Sequence, residues 1–122
     1  MKNIISLSIV LSASAWAQVV PVPEGQRTPI PYSSPAEALT QLRVNPDVQV
    51  GEREGWTLAY DRRLHTAWAF APPRHSSYPS VVRRTYIQRE GKVFVDMAML
   101  CFASTDACAE LAREASKFDG GP

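Results

Sequence analysis

Histidine and cysteine are scarce in this chain, two of each among 122 residues. His65 and His75 stand on separate polar segments, so no visible spacing assembles the three or four ligands of a zinc site. Neither a metal nor a cofactor is expected. Charge excess is missing as well: residues 1–17 carry Lys2 alone of 13 basic residues and none of the 12 acidic ones, leaving an even balance beyond them. A chain without net charge has no general attraction for nucleic acid or membranes, and no nucleic-acid partner is expected. Internal repeats are absent. No apolar segment after residue 17 approaches the roughly 20 residues of a membrane-spanning helix.

What is there starts at the amino terminus. Lys2 precedes an apolar run from Ile4 to Leu11, broken only by serines, and Ala15, Trp16 and Ala17 supply the small-x-small pattern of a signal peptidase site. Residues 1–17 therefore read as a signal peptide removed between Ala17 and Gln18. The run is too short to remain as an anchor, and no cysteine follows the cleavage point to carry a lipid. The mature chain is expected to be periplasmic or secreted, with no transmembrane segment. In that oxidising setting, Cys101 and Cys108 read as one disulfide.

Residues 18–34 contain Pro21, Pro23, Pro29 and Pro31 and few large apolar side chains. They are expected to form a flexible, extended tether of polyproline II character, leaving residues 35–119 as a single compact domain. Ser34, Pro35 and Glu37 compose a capping box with proline at the first helical position. A short helix follows, with Ala38, Leu39 and Leu42 on its buried stripe, and Pro46 ends it. Strand signals come next: Val48 and Val50; Trp56, Leu58 and Tyr60; Thr66, Trp68 and Phe70, stopped by Pro72 and Pro73. Two long apolar segments, Val81 to Gln88 and Lys92 to Cys101, flank Arg89, Glu90 and Gly91 as a hairpin.

Two registers fit that hairpin. A three-residue loop sets Arg84 opposite Asp96, and a two-residue loop pairs Thr85 with Asp96 and places Arg83 on the diagonal. The first is preferred, because glutamate is poor at positive φ and the cross-strand pairs are better. Ser104 or Thr105 caps a last helix, with Cys108, Leu111, Ala112, Ala115 and Phe118 along one stripe and Gly120 and Gly121 at its end. The expected fold is α+β: a four- to five-stranded antiparallel meander flanked by an N-terminal and a C-terminal helix on one face, with one disulfide.

Functional residues are sought where the pattern is least like core. The segment from Pro72 to Pro79 combines three prolines with Arg74, His75 and Tyr78. A stiff loop loses little entropy on binding, and arginine and tyrosine are frequent hot-spot residues. Residues 53–92 also concentrate eight basic residues against three acidic ones. Arg62, Arg63 and Arg83, with Arg74, are expected to form a guanidinium-rich rim suited to carboxylates and phosphates. The aromatic stripe of Trp56, Tyr60, Trp68 and Phe70 reads as core. Ser76 and Ser77 beside His75 are expected to be turn chemistry, and the acids fall in helix ends, turns and one strand position.

The expected function is that of a small exported bacterial binding protein, not an enzyme, acting on a protein partner in the cell envelope in the manner of an inhibitor or immunity protein. Two other readings remain. One is an envelope module that binds anionic phosphate or sugar-acid groups through the arginine rim, and the other is a small hydrolase using His75.

Overall fold

The computed structural model describes residues 18–117. The expected signal peptide, Phe118 and the Gly120–Gly121 stop lie outside the described residues. Six strands form one sheet: β1 (Gln18–Pro21), β2 (Val48–Arg53), β3 (Trp56–Asp61), β4 (Thr66–Phe70), β5 (Ser80–Arg89) and β6 (Lys92–Cys101). Helix α1 (Pro35–Arg43) precedes β2 and helix α2 (Thr105–Lys117) follows β6. The strand order is β1-β6-β5-β4-β3-β2, antiparallel throughout except that β1 runs parallel to β6. The fold is α+β with one disulfide, Cys101–Cys108, but the sheet is mixed and six-stranded where an antiparallel meander of four or five was expected.

The extra strand comes from the segment expected to be a tether. Gln18 to Pro21 pair with Lys92 to Val95, and Val22 N–H donates to the Val95 carbonyl at 2.9 Å. The chain then runs as a strap across the sheet, where Ile30 and Tyr32 pack on the core. Its prolines fix φ, although a 3-10 turn at Glu24–Gln26 interrupts the extended path. They do not leave it free, because the few donors and acceptors that remain find buried partners described below.

Both helices were expected on one face, and they take opposite faces. Successive residues of a strand point to opposite sides, and Val81 and Val82 are both buried. Val81 meets α1 through Ala38 and Leu42, together with Ala59, Trp68 and Phe70. Val82 and Met97 meet α2 through Leu111 and Ala115. A central strand apolar on both sides needs cover on both.

The β3–β4 register interlocks large and small residues. Tyr60 lies opposite Ala67, Leu58 opposite Ala69, and Trp68 opposite Ala59. The bulky positions of β3 and β4 therefore face opposite sides, and the four aromatics do not form one stripe. Trp68 and Phe70 are buried in the α1 layer, whereas Tyr60 on the other face is exposed.

The β5–β6 hairpin turns on two residues: Arg89 pairs with Lys92, and Glu90 and Gly91 both have positive φ, 52° and 78°. The β2–β3 hairpin repeats this with Glu54 and Gly55, at 53° and 88°. The three-residue register preferred from the sequence is thus overturned. A turn with both central residues left-handed matches the twist of its strands, which offsets the modest cost of a glutamate there.

At the start of α1, Glu37 N–H donates to Ser34 Oγ at 3.0 Å. The Glu37 carboxylate accepts from the Ser33 N–H and Ser33 hydroxyl, both at 2.6 Å, one residue before the cap itself. These bonds hold its pKa below the ordinary value, the Ser33 hydroxyl first. A depressed carboxyl stabilises the fold above its unfolded pKa, and the effect is lost as pH falls through the folded one. Thermal melts between pH 7 and pH 3 are therefore expected to drop less in Glu37→Gln than in the parent. Parallel curves would show that the bonds add nothing.

Candidate functional site

The β4–β5 connection, Ala71 to Pro79, is held by its own hydrogen bonds. His75 N–H donates to the Pro72 carbonyl at 2.9 Å and Tyr78 N–H to the His75 carbonyl at 3.0 Å. Behind them runs a polar chain: Ser77 N–H reaches His75 Nδ1 at 3.1 Å, Ser77 Oγ lies 2.8 Å from the same nitrogen, and Ser77 Oγ is 2.9 Å from Ser80 Oγ. Since Nδ1 accepts the Ser77 amide, the ring proton belongs on Nε2. The Tyr78–Pro79 peptide is cis. The far end is tied to the sheet by Ala71 N–H to Ser80 and Phe102 N–H to Pro79.

Of the two serines after His75, Ser77 makes turn contacts, and Ser76 is exposed. Ser77 is fully buried, so its hydroxyl orders the loop and presents no nucleophile to a solute. The His75 ring sits edge-on against Trp56, centroids 5.0 Å apart at 69°. Trp56 was read from the sequence as part of a core stripe, yet it props this loop. It directly follows the left-handed Glu54–Gly55 turn, where a side chain added at Gly55 would meet Pro72.

Pro72 and Pro73 form a ridge between two hollows. One, of about 330 Å³, lies between Leu39 of α1 and Tyr78 with Pro79. The other, of about 600 Å³ and open, is walled by Trp56, Arg74 and His75. Arg74 is exposed and Tyr78 is half-exposed at 48%. Glu52 and Glu54 reach the two hollows respectively, so the surface is mixed in charge.

The expected arginine rim is divided. Arg62 and Arg63 are exposed in the β3–β4 turn, at the opposite end of β4 from Arg74. A five-residue strand separates the two ends by roughly 16 Å. Arg83 is buried. Its Nη2 donates to the Thr28 carbonyl at 2.7 Å and to Asp96 Oδ1 at 3.3 Å, and Nη1 reaches the Pro29 carbonyl at 3.4 Å. Thr28 N–H in turn donates to both Asp96 oxygens. Burial pushes the Arg83 pKa down, and Asp96 opposes that shift. Arg83 is therefore a clamp on the strap and no part of a surface, a correction that follows from the two-residue register. Arg84, on the other face, donates to the Ala115 carbonyl at 2.8 Å.

Among the described residues no three of histidine, cysteine, aspartate or glutamate gather to hold a metal ion. No helix among them is long and apolar enough to cross a membrane. Compared with known proteins, the chain has no significant match among family models, curated proteins or solved structures.

Proposed function

We propose that this chain is a small exported bacterial protein that binds and occludes a protein partner in the cell envelope, as inhibitors and immunity proteins do. The observation that carries the reading is the β4–β5 loop: Arg74 and Tyr78 project from a backbone already fixed by the His75–Ser77–Ser80 chain, with a hollow on either side. Such a loop loses little freedom on docking, and its exposed residues are of the types that dominate interface energies. The disulfide is compatible with an oxidising compartment, reached after removal of residues 1–17 at Ala17/Gln18 into the periplasm or medium.

The test is affinity capture from envelope extract with the processed chain and with two variants. Arg74→Ala and Tyr78→Ala are each expected to weaken the captured complex by about 1 kcal/mol or more while leaving the melting temperature unchanged. Capture that survives both substitutions undiminished removes the loop from the interface.

A further inference from the structure

Strand β2 is the border of the sheet opposite β1, and among the described residues no strand lies beyond it. Register decides which of its main-chain groups stay unpaired. Arg62 N–H donates to the Asp47 carbonyl at 3.2 Å, one step beyond the Val48–Asp61 pair. Bonded pairs alternate along an antiparallel ladder, so Asp47, Gln49, Gly51 and Arg53 turn their main-chain groups toward β3. Those of Val48, Val50 and Glu52 turn outward. Val48 N–H agrees, donating away from β3 to the Asn45 carbonyl at 3.1 Å. The amides of Val50 and Glu52 and the carbonyls of Val48, Val50 and Glu52 form an open row.

Natural borders are blunted by short length, proline or a bulge. β1 has four residues and ends on Pro21, whereas β2 has no proline and pairs without a break over all six of its residues. Its exposed charges, Glu52 and Arg53, sit at one end, and the half-buried Asp47 precedes the other. Among the described residues, neither Arg53 nor Asp47 makes an ion pair within the chain.

This segment complements itself. With two copies antiparallel about a two-fold axis at Val50, each Arg53 stands opposite Asp47 of the other copy. Val50 stands opposite Val50, Gln49 opposite Gly51, and the exposed Glu52 opposite Val48. Every facing pair then lies on the same side of the sheet, which restricts other registers to shifts of two residues. Either shift breaks the charge match, setting Arg53 against Asn45 or Gln49, and the latter also sets Val50 against Glu52. Opposite charges across a strand pair are favourable and like charges are not. A second copy therefore supplies both a backbone partner for the open row and a counter-charge for two ions that lack one.

We infer that β2 is a homodimer interface, two copies joining edge to edge about a two-fold axis at Val50. Val50 N–H donates to the Val50 carbonyl of the other copy and Glu52 N–H to its Val48 carbonyl, each bond being made twice. The outer borders of the joined sheet are then two copies of β1, so association stops at a pair. Antiparallel pairing sends the two β4–β5 loops to opposite ends. The inference is independent of the proposed protein partner.

Sedimentation equilibrium of the chain without residues 1–17 tests it by mass. A monomer–dimer equilibrium is expected at micromolar to submillimolar concentration. Arg53→Asp and Asp47→Arg each oppose like charges at both ends of the interface and should weaken dimerisation at least tenfold. An equimolar mixture of these two variants should recover it, because their heterodimer opposes unlike charges at both ends. Glu52→Pro removes an outward amide and no bond to β3, and should give a monomer with the parent's circular dichroism. Arg74→Ala should leave the equilibrium unchanged. A monomer throughout the concentration range overturns the inference and leaves the border to a strand of another protein. So does a dimer that is indifferent to the charge variants, or one that the mixture fails to recover.

Discussion

Asp96→Ala is expected to destabilise the domain by about 3–5 kcal/mol, the range for removing one member of a buried ion pair. The Arg83 and Asp96 side chains are 6% and 8% exposed, so water cannot replace the missing carboxylate. The guanidinium already carries an uncompensated group: Arg83 Nε is buried without a hydrogen-bond partner. Thr28 N–H loses its acceptor in the same variant. The double replacement Arg83→Met with Asp96→Leu is expected to cost much less, because it removes both desolvation penalties together. Urea midpoints of the three proteins measure this. The amides of Val22 and Thr28 should also exchange faster in Asp96→Ala, since the strap is what the pair holds. A loss below 1 kcal/mol with unchanged exchange would show that the strap is secured elsewhere.

Loss of the disulfide is the second large effect. Cys101 ends β6 and Cys108 lies in the first turns of α2, seven residues apart in sequence. Closing a loop of about eight residues removes roughly 2.5 kcal/mol of unfolded-chain freedom in the chain-entropy picture. For a domain of this size, that lowers the melting temperature by about 10–20 °C. Among the described residues no free cysteine is present, so a reducing agent acts on this bond alone. Paired Cys101→Ala and Cys108→Ala replacements should reproduce the shift. The damage should concentrate in α2, whose apolar anchors Leu111 and Ala115 rest on Val82 and Met97. An unaltered melting curve after reduction would mean that this packing suffices without the link.

Local chemistry was legible in the sequence where neighbouring residues alone decide the outcome. Ser34 and Glu37 start a helix, Pro72 and Pro73 stop a strand, and two nearby cysteines pair. Decisions requiring a partner far along the chain were not legible. Four prolines describe a free polyproline segment and a strap equally well, and only Asp96 and Arg83, more than fifty residues away, separate the two. The hairpin register rested on the reluctance of glutamate to adopt positive φ, a local preference that Glu54 and Glu90 both override. That one-residue difference chose Arg83 over Arg84 for the interior and so removed Arg83 from the candidate surface. The β4–β5 loop was legible as a candidate from its composition, and Arg74 and Tyr78 are exposed there. Trp56 beneath it was not, because a half-buried aromatic in an alternating strand has the same pattern as core.

Strand β1 and its mate β6 lie about seventy residues apart, the longest separation between any paired strands described. On a ribosome the first of these segments is therefore made early and waits for nearly the entire polypeptide before it finds its place. Until then the outer border of Lys92–Val95 carries unpaired main-chain groups, an open template for strand addition by a neighbouring copy. Any trimming that removes Gln18–Pro21 leaves that border uncovered for the lifetime of the molecule, so clipped material is expected to self-associate where intact material stays dispersed.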